Sequence, residues 1–186
     1  DVFAIVWDAK TQQMHGLNGS GRSPRNLSRQ AILDSGHETI PSRGPLSWSV
    51  PGCVDGWFTL HKQFGRMSMS DLLAPTIEVA RNGFAVTPVI ARMWEASAQR
   101  LAKDPGAAAV FLPDDNAPKD GETFRNEKLG AVLATIAEQG NDAYYRGPIA
   151  EALVSFSQEV GGYFSLPDFA NHTSTWVDSV SVPFRG

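Results

Sequence analysis

An α+β fold, mostly helical with strands at its two ends, is predicted by three features of the sequence. Residues 2–7 form a near-continuous apolar run, as expected of a strand buried on both faces. From about residue 54 to residue 160, apolar residues recur at helical spacing in segments punctuated by Gly and Pro. Residues 173–184 carry Trp176, Val180 and Val182 in alternation, the pattern of a closing strand. The chain has 186 residues, which suits a single domain. It is 42% apolar and 19% charged, so it has ordinary globular composition and not that of a disordered chain. Its net charge of -4 leaves no basic footprint for nucleic acid. No apolar run approaches the ~18 residues that span a bilayer. The one cysteine, Cys53, has no internal partner, and without Cys pairs the common zinc knuckles are absent.

The elements follow in order. Asp1 leads straight into the first strand with no Met and no basic leader, as expected of an excised or processed piece. Residues 8–13 are polar and turn-like, and residues 14–17 return as the second arm of a hairpin. The stretch 18–24 breaks regular structure, and its two glycines permit a close backbone approach. Residues 27–33 form a short helix. The Ser-, Gly- and Pro-rich stretch to Pro51 is loop. A helix then covers 54–64 and closes at Gly65. Ser70 caps a helix over 71–81, with a kink or break expected at Pro75. Thr87-Pro88 opens a helix to about residue 102. Residues 104–121 read as loop with a short helical turn. Asn126 caps a helix over 127–139 whose stripe is Leu129, Val132, Leu133, Ile136 and Ala137. Gly147-Pro148 opens a helix to residue 160, and Ser165 caps a single turn around Asp168. The end strands have only each other and the hairpin as partners. Such a small sheet leaves open edges, so its remaining strands are expected outside this sequence.

Chemistry is sparse. Cys53 sits at a helix start, where a thiol can be activated, yet a free Cys is more often a small buried residue. His15, His37, His61 and His172 lie at no metal-ligand spacing, so surface or capping roles are expected and no metal site. Asp114, Asp115 and Asp120 lie in a loop without calcium-site spacing. Asp168 reads as a cap, and one of Tyr144 and Tyr145 should pack while the other is exposed. The best candidate is 18–24, where backbone N–H groups, the Ser20 hydroxyl and the Arg22 guanidinium could hold an anion. A structural turn is an equal reading. No cofactor motif is present.

Taken together, ordered landmarks resemble the large-subunit region of the gamma-glutamyltranspeptidase family. They begin with Phe3-Ala4-Ile5-Val6-Trp7-Asp8-Ala9, Leu17-Asn18-Gly19-Ser20-Gly21-Arg22-Ser23-Pro24 and Val50-Pro51-Gly52-Cys53-Val54-Asp55-Gly56-Trp57. Phe64-Gly65-Arg66, Asp71-Leu72-Leu73-Ala74-Pro75 and Ala80-Arg81-Asn82-Gly83-Phe84 follow. Ile136-Ala137-Glu138-Gln139-Gly140, Tyr144-Tyr145-Arg146-Gly147, Gly161-Gly162-Tyr163-Phe164-Ser165-Leu166-Pro167-Asp168-Phe169 and Val182-Pro183-Phe184-Arg185-Gly186 complete the series. Their order and spacing cover nearly the whole chain.

The resemblance implies a partial domain, residues 1–186, within the αββα sandwich of an N-terminal nucleophile hydrolase. It implies a self-cleaving precursor in which a Thr becomes the first residue of a small subunit and attacks a gamma-glutamyl amide. No Thr here matches that nucleophile, so no catalytic residue is expected in this chain, and the piece alone should be inactive. The implied partners are the small subunit and a gamma-glutamyl or related acyl amide such as glutathione, with water or an amine as acceptor. Strict transpeptidases carry an Arg-Glu pair after the second strand. Here those positions hold Ser20 and Gly21, with Arg22 next, as in a divergent transpeptidase-like branch. Ser20 and Arg22 are the implied substrate-binding residues, and Arg22 either takes over the carboxylate or only anchors the loop. A cephalosporin-acylase-like amidohydrolase, a non-catalytic helical interaction module and a Cys53 thiol nucleophile are the alternatives.

Overall fold

The computed structural model describes residues 1–185. The observed fold is α+β, mostly helical, with strands near both ends. The chain divides into two compact units, residues 1–68 with 139 onward, and residues 69–138.

In the first unit, β1 (Val2–Asp8) and β2 (Gln13–Gly19) form an antiparallel hairpin in which Val2 faces Gly19 and Asp8 faces Gln13. Asp8 shapes its turn by accepting hydrogen bonds from the Lys10 N–H (2.9 Å) and the Thr11 hydroxyl (3.0 Å). These bonds hold the Asp8 carboxyl below its ordinary pKa. The chain then makes the short helix α1 (Arg29–Asp34), capped by the Ser28 hydroxyl, and α2 (Cys53–Phe64). Directly paired residues share a face of a sheet. Val2, Ala4, Val6 and Leu17 therefore face one way, towards α2, where a Cβ on Gly56 would stand 2.1 Å from a Val2 methyl. The opposite face is bare: Phe3 is 68% exposed, Ile5 71% and Trp7 57%. The expectation that residues 2–7 are buried on both faces is thus met on one face only.

The second unit opens with α3 (Met69–Asn82) and the short strand β3 (Phe84–Ala85). Helix α3 runs through Pro75 without the expected break. A proline removes one main-chain bond, and here the flanking turns carry the helix across it. Ser70 does not cap this helix, because its hydroxyl donates to the Ala137 carbonyl at 3.0 Å. The single helix expected to residue 102 is instead α4 (Pro88–Glu95) and α5 (Ala98–Leu101). Ser97 divides them by bonding back to the preceding turn: its hydroxyl takes the Met93 carbonyl (3.0 Å) and its N–H that of Trp94 (2.8 Å). Much of the expected loop 104–121 is helical, since Asp104 accepts from the Ala107 N–H and Pro105 starts α6 (Pro105–Phe111). Strand β4 (Thr123–Phe124) pairs with β3, and Asn126 caps α7 (Glu127–Gln139) as expected, accepting from the Leu129 N–H at 2.9 Å. Gly130, Leu133 and Ile136 form the buried stripe, and Leu129, assigned to it from spacing, is exposed.

The first unit resumes with α8 (Asn141–Tyr145), α9 (Pro148–Glu159) and α10 (Leu166–Ala170). Its core includes Val50, Val54, Tyr145, Ala150 and Phe169. Strand β5 (Thr175–Val177) adds to β2 with Gly16 opposite Val177. The sheet order is β1-β2-β5. The closing strand is far shorter than residues 173–184. Past residue 177 the chain has no strand to pair with, Pro183 offers no N–H, and Val180 is 95% exposed. Among the described residues no helix is long and apolar enough to cross a membrane.

Candidate functional site

The end of β2 turns sharply because the Ser20 N–H donates to the Asn18 side-chain oxygen at 2.9 Å. The loop that follows is pinned at three places. The Asp1 carboxylate accepts from the Gly21 N–H (2.9 Å), the Ser20 hydroxyl (3.3 Å) and, at 3.4 Å, the Gly52 N–H. The Val50 N–H donates to the Arg22 carbonyl at 3.0 Å. Farther along, Asp168 accepts from the Arg25 N–H at 3.0 Å while also holding both the N–H and the hydroxyl of Ser165. Asp168 is therefore the expected cap, and it is also a loop anchor.

Glycine is required in this seam. A Cβ on Gly21 would stand 1.6 Å from the Val50 carbonyl oxygen, and one on Gly52 would stand 2.2 Å from that of Gly19. The segment 50–52 thus lies as a floor beneath 19–22. That floor is held from behind. The Tyr145 hydroxyl donates to the Pro51 carbonyl (2.6 Å) and accepts from the Asp55 N–H (3.1 Å). The buried Asp55 carboxylate accepts from Asn141 Nδ2 (3.1 Å) and the Ser174 N–H (2.6 Å), tying α2 to α8 and to the approach of β5. Burial pushes the Tyr145 hydroxyl above the usual tyrosine range and that of Tyr144 to about 12, so neither is a base at neutral pH.

His172 stacks on Tyr145 with ring centroids 5.2 Å apart. It is only 8% exposed, and neither ring nitrogen has a hydrogen-bonding partner in the structure. Burial holds its pKa below the ordinary histidine value, opposed in part by the Asp55 carboxylate and the Gly52 backbone. A surface or capping role was expected for each histidine, and His172 has neither.

The two implied binding residues are close in the chain but differently engaged. Ser20 has its hydroxyl and N–H committed within the molecule. Arg22 is exposed, and among the described residues no carboxylate lies within ion-pair distance of it. Donors gathered around a carboxylate make the loop an anion cradle, and its occupant is Asp1. Cys53 is the first residue of α2, half-buried, with Tyr144 and Tyr145 as its titratable neighbours. Among the described residues no base is hydrogen-bonded to it. Among the described residues no three metal-ligating side chains cluster. Sequence reasoning missed Asp1, Asp55, Tyr145 and His172 as members of one network. Their partners lie up to 119 positions apart, as for Asp55 and Ser174, so no local motif announces them.

Residues 1–186 match the gamma-glutamyltranspeptidase family profile. A glutathione hydrolase-like proenzyme of Bacillus subtilis, YwrD, is 37% identical, covering 100% of this chain and 35% of its own length. A cephalosporin acylase from Bacillus halodurans superposes with a TM-score of 0.93 at 34% identity, over 99% of this chain and 35% of that one. The gamma-glutamyltranspeptidase of Helicobacter pylori superposes with a TM-score of 0.92 at 25% identity, over 100% of this chain and 54% of that one. The chain spans about a third of the length of the curated relatives it matches.

Proposed function

The chain belongs to the gamma-glutamyltranspeptidase family, and from that premise we propose that it is part of the large subunit of a self-processing amidohydrolase. The complete protein cleaves a gamma-glutamyl amide of the glutathione type and passes the acyl group to water or an amine. The nucleophile is a Thr hydroxyl freed by autocleavage, carried on a small subunit that continues the same precursor. Its own α-amine serves as base, and backbone donors stabilise the oxyanion. This chain supplies the loop after β2, on which Ser20 and Arg22 meet the substrate. The observation that carries the reading is that loop: Arg22 is exposed and unpaired on a turn pinned by Asp1, Val50 and Asp168. Its guanidinium, without a partner of its own, is free to take a carboxylate in a two-pronged bond.

The bare sheet face supports the small subunit as partner. Phe3, Ile5 and Trp7 stand in a row on it, and β1 and β5 are outer strands among the described residues. A second sheet packed there would complete a sandwich. The same open face disfavours a self-sufficient helical interaction module.

A second reading, a cephalosporin-acylase-like amidohydrolase acting on glutaryl-type side chains, is favoured by one feature. Ser20 and Gly21 stand where strict transpeptidases have Arg and Glu. The test is turnover by the complete protein of a gamma-glutamyl anilide against a glutaryl amide. We expect the gamma-glutamyl donor to be faster, and equal rates would remove the glutamyl preference.

A further inference from the structure

Helix α9 buries Ala150, Val154 and Ser157, and Phe156 lies off that stripe, 47% exposed. The packing of the helix therefore does not call for a ring there. Phe156 is instead matched by Trp48, whose ring lies 5.9 Å away and within 19° of parallel. Trp48 follows the single turn Pro45–Ser47 and also faces Phe164, at 6.0 Å and 30°. These three rings, with Leu153, Pro51 and Ser49, line a pocket of about 390 Å³. One wall of it is fixed from behind. Phe164 is buried, its N–H donates to the Oγ of the fully buried Ser157 at 3.2 Å, and its ring meets that of Phe169 edge-on at 5.2 Å. The turn before Trp48 rests on Gly162, where a Cβ would stand 3.3 Å from Pro45 Cβ.

Two residues of the lining have polar atoms to spare. Among the described residues neither the Trp48 indole N–H nor the Ser49 hydroxyl has a hydrogen-bonding partner. No charged side chain lines the pocket, so an ion inside it would lose its water and gain no opposite charge. Flat aromatic faces favour another flat apolar ring, and an unpaired N–H favours a neutral acceptor beside that ring. Small-molecule sites have this make-up, an apolar lining with a few polar groups that set orientation. We propose that the pocket binds an uncharged small molecule in which an aromatic ring carries a carbonyl group. The ring lies against Trp48, Phe156 and Phe164, and the carbonyl oxygen accepts from the Trp48 indole N–H. Binding of this kind does not require the gamma-glutamyl reaction.

The test uses the complete processed protein and three probes, acetophenone, benzoate and acetone. Acetophenone has the ring and the carbonyl, benzoate carries a charge on the same ring, and acetone has no ring. None of them has an amide to cleave. Titration followed on the probe's own NMR signals should give saturable binding of acetophenone, with benzoate and acetone weaker by about 10-fold or more. Trp48→Phe keeps a flat ring and removes the N–H. It should weaken acetophenone about 3- to 10-fold, the worth of one neutral hydrogen bond. Phe156→Ala removes a half-exposed wall without touching the buried stripe of α9, so the protein should fold while binding falls about 10-fold. No saturable binding of acetophenone would overturn the proposal, whether because the rest of the precursor fills the pocket or because nothing there holds the ring. Benzoate binding as tightly as acetophenone would overturn it as well, and so would both variants binding acetophenone like the wild type.

Discussion

The two faces of the three-stranded sheet are built from similar apolar residues and end in opposite states. On one, Leu17 is 2% exposed beneath α2; on the other, Trp7 is 57% exposed. Both faces were written by the same strands, so the difference lies in what covers them. The covered face packs against α2, behind the loop that follows β2. The bare face is the one on which the second sheet is proposed to pack. A surface patch on a working monomer is rarely so rich in large apolar side chains.

That contrast can be broken by mutation. Leu17→Ala should cost about 2–5 kcal/mol, as for any buried leucine. Trp7→Ala is the sharper experiment. In the complete protein it should cost about 3–5 kcal/mol if the proposed second sheet buries the ring. If the face is ordinary surface, the change should stay within about 0.5 kcal/mol. Denaturant unfolding of the processed protein separates the two. Next in size is Gly21→Ala, whose new Cβ meets the Val50 carbonyl oxygen. Backbone cannot swing aside as a side chain can, so we expect about 3 kcal/mol lost and a raised KM, with the bare face unaffected. Tyr145→Phe keeps the ring and removes the hydroxyl between Pro51 and Asp55. With the Asp55 N–H left unsatisfied in the interior, about 1–3 kcal/mol should go, again measurable by denaturant unfolding.

How much of this was legible depended on the range of the interactions. Local signals served well: Asn126 capping α7, the box of Ser165 and Asp168, and the glycines that end helices were all readable in the sequence. Signals that compete were misread. Ser97 splits an apparent helix because its hydroxyl prefers the preceding turn, and Asp104 starts one in a stretch that looked like loop. Residues 2–7 show that an apolar run does not say how much of a strand its own segment covers: α2 covers one face and leaves Phe3, Ile5 and Trp7 exposed. For the site, Ser20 and Arg22 were readable as an anion-holding candidate from their residue types, their substrate role came only from the resemblance, and the turn that holds them was visible in Asn18 and the glycines. Asp1, Asp55, Tyr145 and His172 stayed hidden, since each works through partners remote in sequence.

The smallest expected effect is one of pH. His172 is buried and its pKa is lowered in the folded protein, so the unfolded chain binds its proton more readily. The neutral ring therefore contributes fully above about pH 6.5, the unfolded value. Stability should fall as the pH drops below that towards the lower folded value. His172→Phe keeps the stack on Tyr145 and removes the titration. Its thermal midpoint should be flatter than that of the wild type across this window, and an identical acid limb would show that another group is responsible.

Sequencing the new amino-terminus formed when the complete precursor matures tests the division of labour most directly. The account predicts a single cut downstream of this region, with threonine as the first residue of the smaller fragment. Amide turnover by an uncut chain, or a new terminus without a threonine, would contradict it.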